Sequence, residues 1–366
     1  MKLECLKDKL LNAVGKASRL TSGKNLNLAI LNCLLLEAKD NRLIIKATNL
    51  ELGVILEIPV KTEKNGKVAV PGDVLNNLLS NLPESKNIKL ELIADNLVIT
   101  TEKNQTKIKI KNADEYPSLP ESKSEPFIIP SNDFINGLKS VWYSCALSSI
   151  KPELSSVFVY TDDKQIIFAA TDSFRLAEKR IKIKQNKDIG RVLIPFKNAL
   201  EIARIIEGEN VDLSISLDKN QISLVCDNIH ITSRIIDGNF PDYKQIIPKE
   251  TKTDVTLLKQ DFIGAFKIAN VFSDKFNQVN IKVEPGKKNF EVVTRNPDIG
   301  ENISRVDAVF SGNDLDISFN LKYVTDCLPS IESDSLTLSF TDISRPMVIR
   351  GVGDRSFLYL VMPMNK

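Results

Sequence analysis

Apolar residues along this chain alternate between two periods, and the alternation itself repeats. Residues 8–14, 132–138 and 260–266 carry them at helical spacing behind an Asp or Asn start signal. Each stretch predicts a helix followed by a strand, a short polar turn and a second strand. The second strands end alike, in Ala47-Thr48-Asn49, Ala170-Thr171-Asp172 and Val293-Thr294-Arg295. Thr48, Thr171 and Thr294 are therefore 123 residues apart, twice.

The remainder of each segment repeats too. Val68-Ala69-Val70-Pro71 precedes a helix over 73–82, whose Val74, Leu75, Leu78, Leu79 and Leu82 form one apolar stripe. Val192-Leu193-Ile194-Pro195 precedes a helix over 198–206, and Ile317-Ser318-Phe319-Asn320 precedes one over 323–331. Strand pairs follow each: 88–93 with 97–101, 211–217 with 222–226, and 336–340 with 347–349. Amphipathic helices laid on antiparallel sheet predict an α+β fold. Turn-rich stretches at 116–130 and 248–254 divide the chain into three tandem copies of one domain, 1–120, 121–248 and 249–366.

Composition narrows the functional classes. In 366 residues, 49 Lys and Arg balance 47 Asp and Glu, so the net charge of +2 argues against a wholesale basic surface. A local basic face remains open. Lys9, Asn12, Lys16 and Arg19 lie on the polar side of the first helix, with Lys24 just beyond. Lys139, Lys197 and Arg204 recur in the second copy, and Lys259, Lys267, Lys275 and Lys322 in the third. Such faces meet phosphates without reading bases; ordinary solvated helix faces are the alternative. Five widely spaced cysteines without a CxxC, and an N-terminus unlike a leader, read as reduced, buried thiols in a cytoplasmic protein.

Catalytic constellations are hard to find. The single histidine, His230, sits in an alternating run whose Ile229, Ile231 and Ile235 share the opposite strand face, which disfavours multi-His metal sites and His-based triads. No Walker A or GxGxxG pattern occurs. Gly351-Val352-Gly353-Asp354 and Asp162-Asp163 each lie between strand-like runs and read as hairpin turns. The residues thus predict neither an enzyme nor a cofactor or metal. A binding scaffold and a DNA-acting enzyme are the competing classes.

Three peptides then narrow the reading: 170–177 (ATDSFRLA), 238–243 (GNFPDY) and the 359–364 terminus (YLVMPM). In this order they closely resemble the bacterial DNA polymerase III beta subunit family, the sliding clamps. The resemblance implies a head-to-tail homodimer closing into a ring of six similar domains, with helices lining a hole around duplex DNA. It implies no catalysis, only a topological tether that gives the polymerase processivity. Partners would be DNA polymerase III, the clamp loader, and other polymerases and repair proteins that dock through short peptide motifs. By motif, the peptide cleft would be lined by Leu154, Thr171, Ser173, Phe174, Arg175, Leu176, Pro241, Ile246, Pro346, Val361, Met362, Pro363 and Met364.

This chain departs from the family pattern in places. Phe174 stands where many members carry His, and Gln245 where some carry a basic residue. Lys151-Pro152-Glu153-Leu154 has no aromatic residue to offer DNA. Under the same resemblance, Lys9, Lys16, Arg19, Lys24, Lys197, Arg204 and Lys267 would face the hole. Ile108 and Ile110 would meet Val271 and Phe272 of a second copy.

Overall fold

Six α-helices form, the first five where the apolar periodicity places them: α1 (Lys7–Ser18), α2 (Gly72–Asn81), α3 (Ser131–Val141), α4 (Phe196–Ile206), α5 (Lys259–Val271) and α6 (Leu321–Asp326). These are the helices among the described residues; the computed structural model describes the chain apart from 22–27, 84, 121, 123, 149, 185–187 and 365–366. The expected start signals act differently from caps. Leu6 and Leu258 occupy the N-cap positions of α1 and α5 without a side-chain cap, so Asp8 and Asp261 sit inside the first turn. There they complement the positive end of the helix dipole. Asn320 is a true cap: its side chain accepts from the Tyr323 amide, a bond worth about 1 kcal/mol.

The last helix is shorter than its apolar pattern suggests. The expected 323–331 helix is replaced by α6, which starts at Leu321 and ends at Asp326, and a separate 3-10 turn, Leu328–Ser330. Pro329 explains the break, because it has no amide to donate and its ring crowds the preceding turn.

The strands pair antiparallel throughout. Two compact units result, Met1–Ile135 with Lys197–Ile235, and Asn136–Phe196 with Ile236–Lys366. The first unit holds an eight-stranded and a five-stranded sheet, and the second a nine-stranded and a four-stranded one. The units cut across the central third because its two half-sheets each join a neighbour. Strand Leu52–Pro59 pairs with Ile229–Arg234 in one sheet, and Arg175–Lys182 pairs with Phe357–Val361 in the other.

Helices pack on these sheets through fully buried apolar side chains, among them Leu10, Leu75, Phe134, Ile202, Phe262 and Val324. Each such burial contributes about 1.5–3 kcal/mol. Gly137 lets α3 approach closely, since a Cβ there would lie 2.2 Å from the Phe168 ring. The two expected hairpins form as well. Asp163 and Lys164 take positive φ between Ser156–Asp162 and Gln165–Thr171, and Gly353 does so between Met347–Gly351 and Phe357–Val361.

Candidate functional site

The 123-residue repeat is a repeated turn. At the end of strand Arg42–Thr48, the Thr48 hydroxyl donates to the Leu52 carbonyl at 3.0 Å, and Asn49 Oδ1 accepts from the Glu51 and Leu52 amides. At the end of Gln165–Thr171, Thr171 donates to the Arg175 carbonyl at 2.7 Å, and Asp172 Oδ1 accepts from the Phe174 and Arg175 amides. Leu50 and Ser173 both carry positive φ, at 73° and 78°. The third copy departs: strand Asn289–Asn296 continues past Thr294, whose buried hydroxyl has no hydrogen-bond partner.

The strand beside each turn is tied to it identically. The Arg234 amide donates to the Glu51 carbonyl, and the Met362 amide to the Phe174 carbonyl, both at 2.8 Å. Side chains decide what each copy can do. In the first unit, Arg234 and Glu51 form an ion pair at 3.0 Å, and a space of about 100 Å³ lies beside Leu50, Leu52 and Leu119. In the second unit, Phe174 and Met362 stand in place of Glu51 and Arg234. Phe174 is 60% and Ile246 50% exposed, while Met362, Pro363 and Met364 are half-buried.

The second unit holds the other expected cleft residues, some of them on strands paired beside this turn. Arg175 pairs with Val361 and Leu176 with Leu360, and Val361 is also paired with Met347, next to the buried Pro346. Leu176 packs in one cluster with Tyr243 and Phe240, which flank the exposed Pro241. Leu154 is buried in the loop before strand Ser156–Asp162; a Cβ on Gly238 would lie 3.9 Å from Glu153 in that loop. Gln245 is exposed and donates to Asp242 at 2.8 Å.

Beneath the 240–247 segment lies a polar anchor that no sequence motif announces. Buried Glu178 accepts from the Tyr243 hydroxyl and from Arg180 Nε, and Tyr243 also meets the Tyr160 hydroxyl at 2.9 Å. Burial first, and then the Glu178 charge, push the Tyr243 hydroxyl above the usual phenol range.

Arg175 is committed inward rather than displayed. It is 9% exposed, with Nε 2.9 Å from Asp172 and Nη1 2.5 Å from Asp326, and its guanidinium lies 4.4 Å from the centre of the Tyr323 ring. Burial opposes its charge, but Tyr359, Asp326 and Asp172 outweigh that, so its pKa is raised. Sequence reasoning misses Tyr323 and Asp326, three apart on one face of α6. Helical spacing places them together, but nothing local links them to an arginine 151 residues away.

The expected cationic face is partly neutralised. Lys16 pairs with Glu209 at 2.8 Å, and Glu201 holds both Arg19 and Arg204, at 3.0 and 2.8 Å. Lys9, Lys197 and Lys267 are exposed and form no ion pair among the described residues. Lys24 lies outside the described residues. Lys267 and Lys322 rim a cavity of about 580 Å³ between α5 and α6, floored by Ile263, Phe266, Leu321 and Leu328.

For the expected subunit interface, Ile108 lies on Gln105–Lys109, an edge strand of the five-stranded sheet, but is only 5% exposed; Ile110 is half-buried. Val271, the last residue of α5, is 66% exposed, and Phe272 is half-buried near Gly300. Among the described residues no cluster of His, Cys, Asp and Glu has a metal-binding arrangement, and no helix is long and apolar enough to cross a membrane. His230 meets the Ser223 hydroxyl at 2.8 Å.

Comparison with known proteins agrees over the whole chain. Models of the N-terminal, central and C-terminal domains of the DNA polymerase III beta subunit match residues 1–120, 128–242 and 244–365 in order. The beta sliding clamp of Proteus mirabilis is 27% identical and that of Escherichia coli K12 26% identical, each with full coverage of both chains. The crystal structure of the Thermotoga maritima DNA polymerase III beta subunit superposes with a TM-score of 0.93 at 27% identity, covering 100% of this chain and 99% of that one. The Bacillus subtilis sliding clamp shares the fold, with a TM-score of 0.94 at 24% identity and the same coverage. Three tandem clamp domains and these matches place the chain in the DNA polymerase III beta subunit family, the bacterial sliding clamps.

Proposed function

We propose that this protein encircles duplex DNA as a head-to-tail homodimer and tethers the replicative polymerase, acting as a processivity factor without catalytic chemistry of its own. The three domains, 1–120, 121–248 and 249–366, then form half of a ring in the cytoplasm. A heterologous interface that closes after two copies is a sound route to a ring. That interface joins the Gln105–Lys109 edge and Ile110 to Val271 and Phe272 of the second copy. Because Ile108 is already buried, it contributes through the edge-strand backbone rather than its side chain.

The cleft is the partner site. The observation that carries this reading is the Phe174–Met362 pairing, which presents apolar, adaptable side chains where the matching turn of the first unit presents an ion pair. Methionine surfaces of this kind accept several ligands. Polymerase, clamp loader and repair proteins would insert short extended peptides there. Lys9, Lys197 and Lys267 are the described cations best placed to meet phosphates, because Lys16, Arg19 and Arg204 already have acidic partners.

Retention on circular and linearised DNA, after loading by a matching clamp loader at moderate salt, tests the ring. The expected result is retention on circles and loss on cutting. Equal retention on both would make this an ordinary DNA-binding protein. Charged substitutions at Val271 and Phe272 should give monomers in sedimentation, and an intact dimer would refute that interface.

A further inference from the structure

The Arg175 cluster lies below the cleft surface and ties two parts of the second unit together. The 171–176 turn is held from its own side by Asp172, which binds both the Phe174 and Arg175 amides and Arg175 Nε. From the opposite side, Asp326 at the end of α6 takes Arg175 Nη1, and Tyr323 of the same helix packs under the guanidinium. Two further bonds join α6 and its preceding strand to the C-terminal strand. Tyr359 Oη donates to the Tyr323 carbonyl at 2.7 Å, and the Met364 amide donates to the Ser318 carbonyl at 2.8 Å.

The first unit supplies the contrast. Its turn has the same backbone bonds, but Leu52 stands where Arg175 does, so no charged strut lies beneath it. The strut therefore accompanies the copy whose turn displays an apolar side chain, Phe174, which is 60% exposed. A buried guanidinium that loses one of its carboxylates is left with an uncompensated charge, and the resulting cost favours its rearrangement.

We propose that Asp326 is a positioning residue for the cleft: through Arg175 it fixes the 171–176 turn against the C-terminal strand, so Asp326 sets peptide affinity without touching the peptide. This rests on the cleft reading above. Arg175 in turn acts as a strut rather than as a donor offered to the ligand.

The test compares the full-length protein with Asp326→Asn, Arg175→Gln and the double variant. A labelled peptide carrying the clamp-binding motif of a bacterial DNA polymerase III catalytic subunit is titrated into each. Asp326→Asn should weaken binding about tenfold, and should cause no further loss in the Arg175→Gln background, as residues acting as one unit are non-additive. Unchanged affinity, or an equal loss in both backgrounds, would overturn the proposal.

Amide exchange on the free proteins decides the positioning separately from peptide binding. Asp326→Asn should speed exchange at Phe174, Arg175 and Met362 several-fold and leave Leu52 and Arg234 of the matching turn unchanged. Unaltered rates, or equal acceleration at both turns, would overturn it. If the unmodified protein ignores the peptide, the cleft reading falls and the exchange result still stands. Should Asp326→Asn fail to fold, Asp326→Glu carries the same comparison with a smaller expected change.

Discussion

Met362 donates its amide to the carbonyl of Phe174 at 2.8 Å, joining the C-terminal strand to a turn 188 residues earlier in the chain. The bond leaves both side chains at the surface, so their chemistry is free to serve a partner while the backbone holds the geometry.

Peptide affinity should therefore separate from stability at Phe174. Because that side chain is 60% exposed, Phe174→Ala should leave the melting temperature within about 2 °C of the parent, since exposed substitutions usually stay within ~0.5 kcal/mol. Peptide binding should weaken about fivefold to tenfold by fluorescence anisotropy. Unchanged affinity would remove Phe174 from the cleft.

Salt dependence should distinguish the two sets of cations. Changing Lys9, Lys197 and Lys267 to Gln should lower the slope of log affinity for duplex DNA against log salt by about one for each phosphate no longer neutralised. Changing Arg204 should have a smaller effect, because Glu201 already offsets it and Arg19 together. Equal slopes for the parent and the triple variant would place these lysines away from DNA.

The five cysteines should resist alkylation in the native state. All are buried and free, and burial pushes Cys5 up to about 12 and Cys226 up to about 11. At pH 8 the thiolate fraction is consequently small and access is blocked. Iodoacetamide should label none rapidly before unfolding and all five after it; prompt native labelling, read by mass spectrometry, would contradict this burial.

Acid should selectively erase the contribution of Glu284. Its carboxylate is held by Lys287 at 2.8 Å, Asn289 at 3.0 Å and Lys282 at 3.2 Å, which lower its pKa to about 2. A carboxylate whose folded pKa lies below its unfolded value stabilises the fold above the unfolded value, and that benefit disappears as pH falls through the folded one. The melting-temperature gap between the parent and Glu284→Gln should be full at pH 6 and narrow from about pH 4.5 toward 2. A gap independent of pH would show that the ion cluster does not act on stability.

The positions of the helices and hairpins are legible in the chain because they depend on neighbours within a few residues. Leu10, Val14 and Leu75 recur at helical spacing, and Asp163-Lys164 and Gly353 mark turns whose backbone requirements are local. Helix ends are less legible. Asp8 and Asp261 act on the dipole from inside the first turn instead of capping it, and Pro329 ends α6 earlier than its apolar stripe implies.

The proposed cleft is legible only as a set of motifs. Resemblance names Thr171, Phe174, Leu176 and Met362, but it does not reveal what Arg175 does, because its partners Asp326 and Tyr323 lie on a helix about 150 residues away. The halving of the cationic face is equally hidden. Glu201 and Glu209 look like ordinary exposed acids until folding sets them against Arg19 and Lys16.

By itself, then, the sequence determined the threefold repeat, most of the secondary elements and the Thr-turn shared by the first two copies, since these follow from local periodicity and side chain–backbone bonds. Tertiary structure alone decided which repeated turn presents apolar side chains and which presents an ion pair. That choice depends on the residue opposite, Met362 in one copy and Arg234 in the other, and on a buried charge whose partner is brought near only by folding.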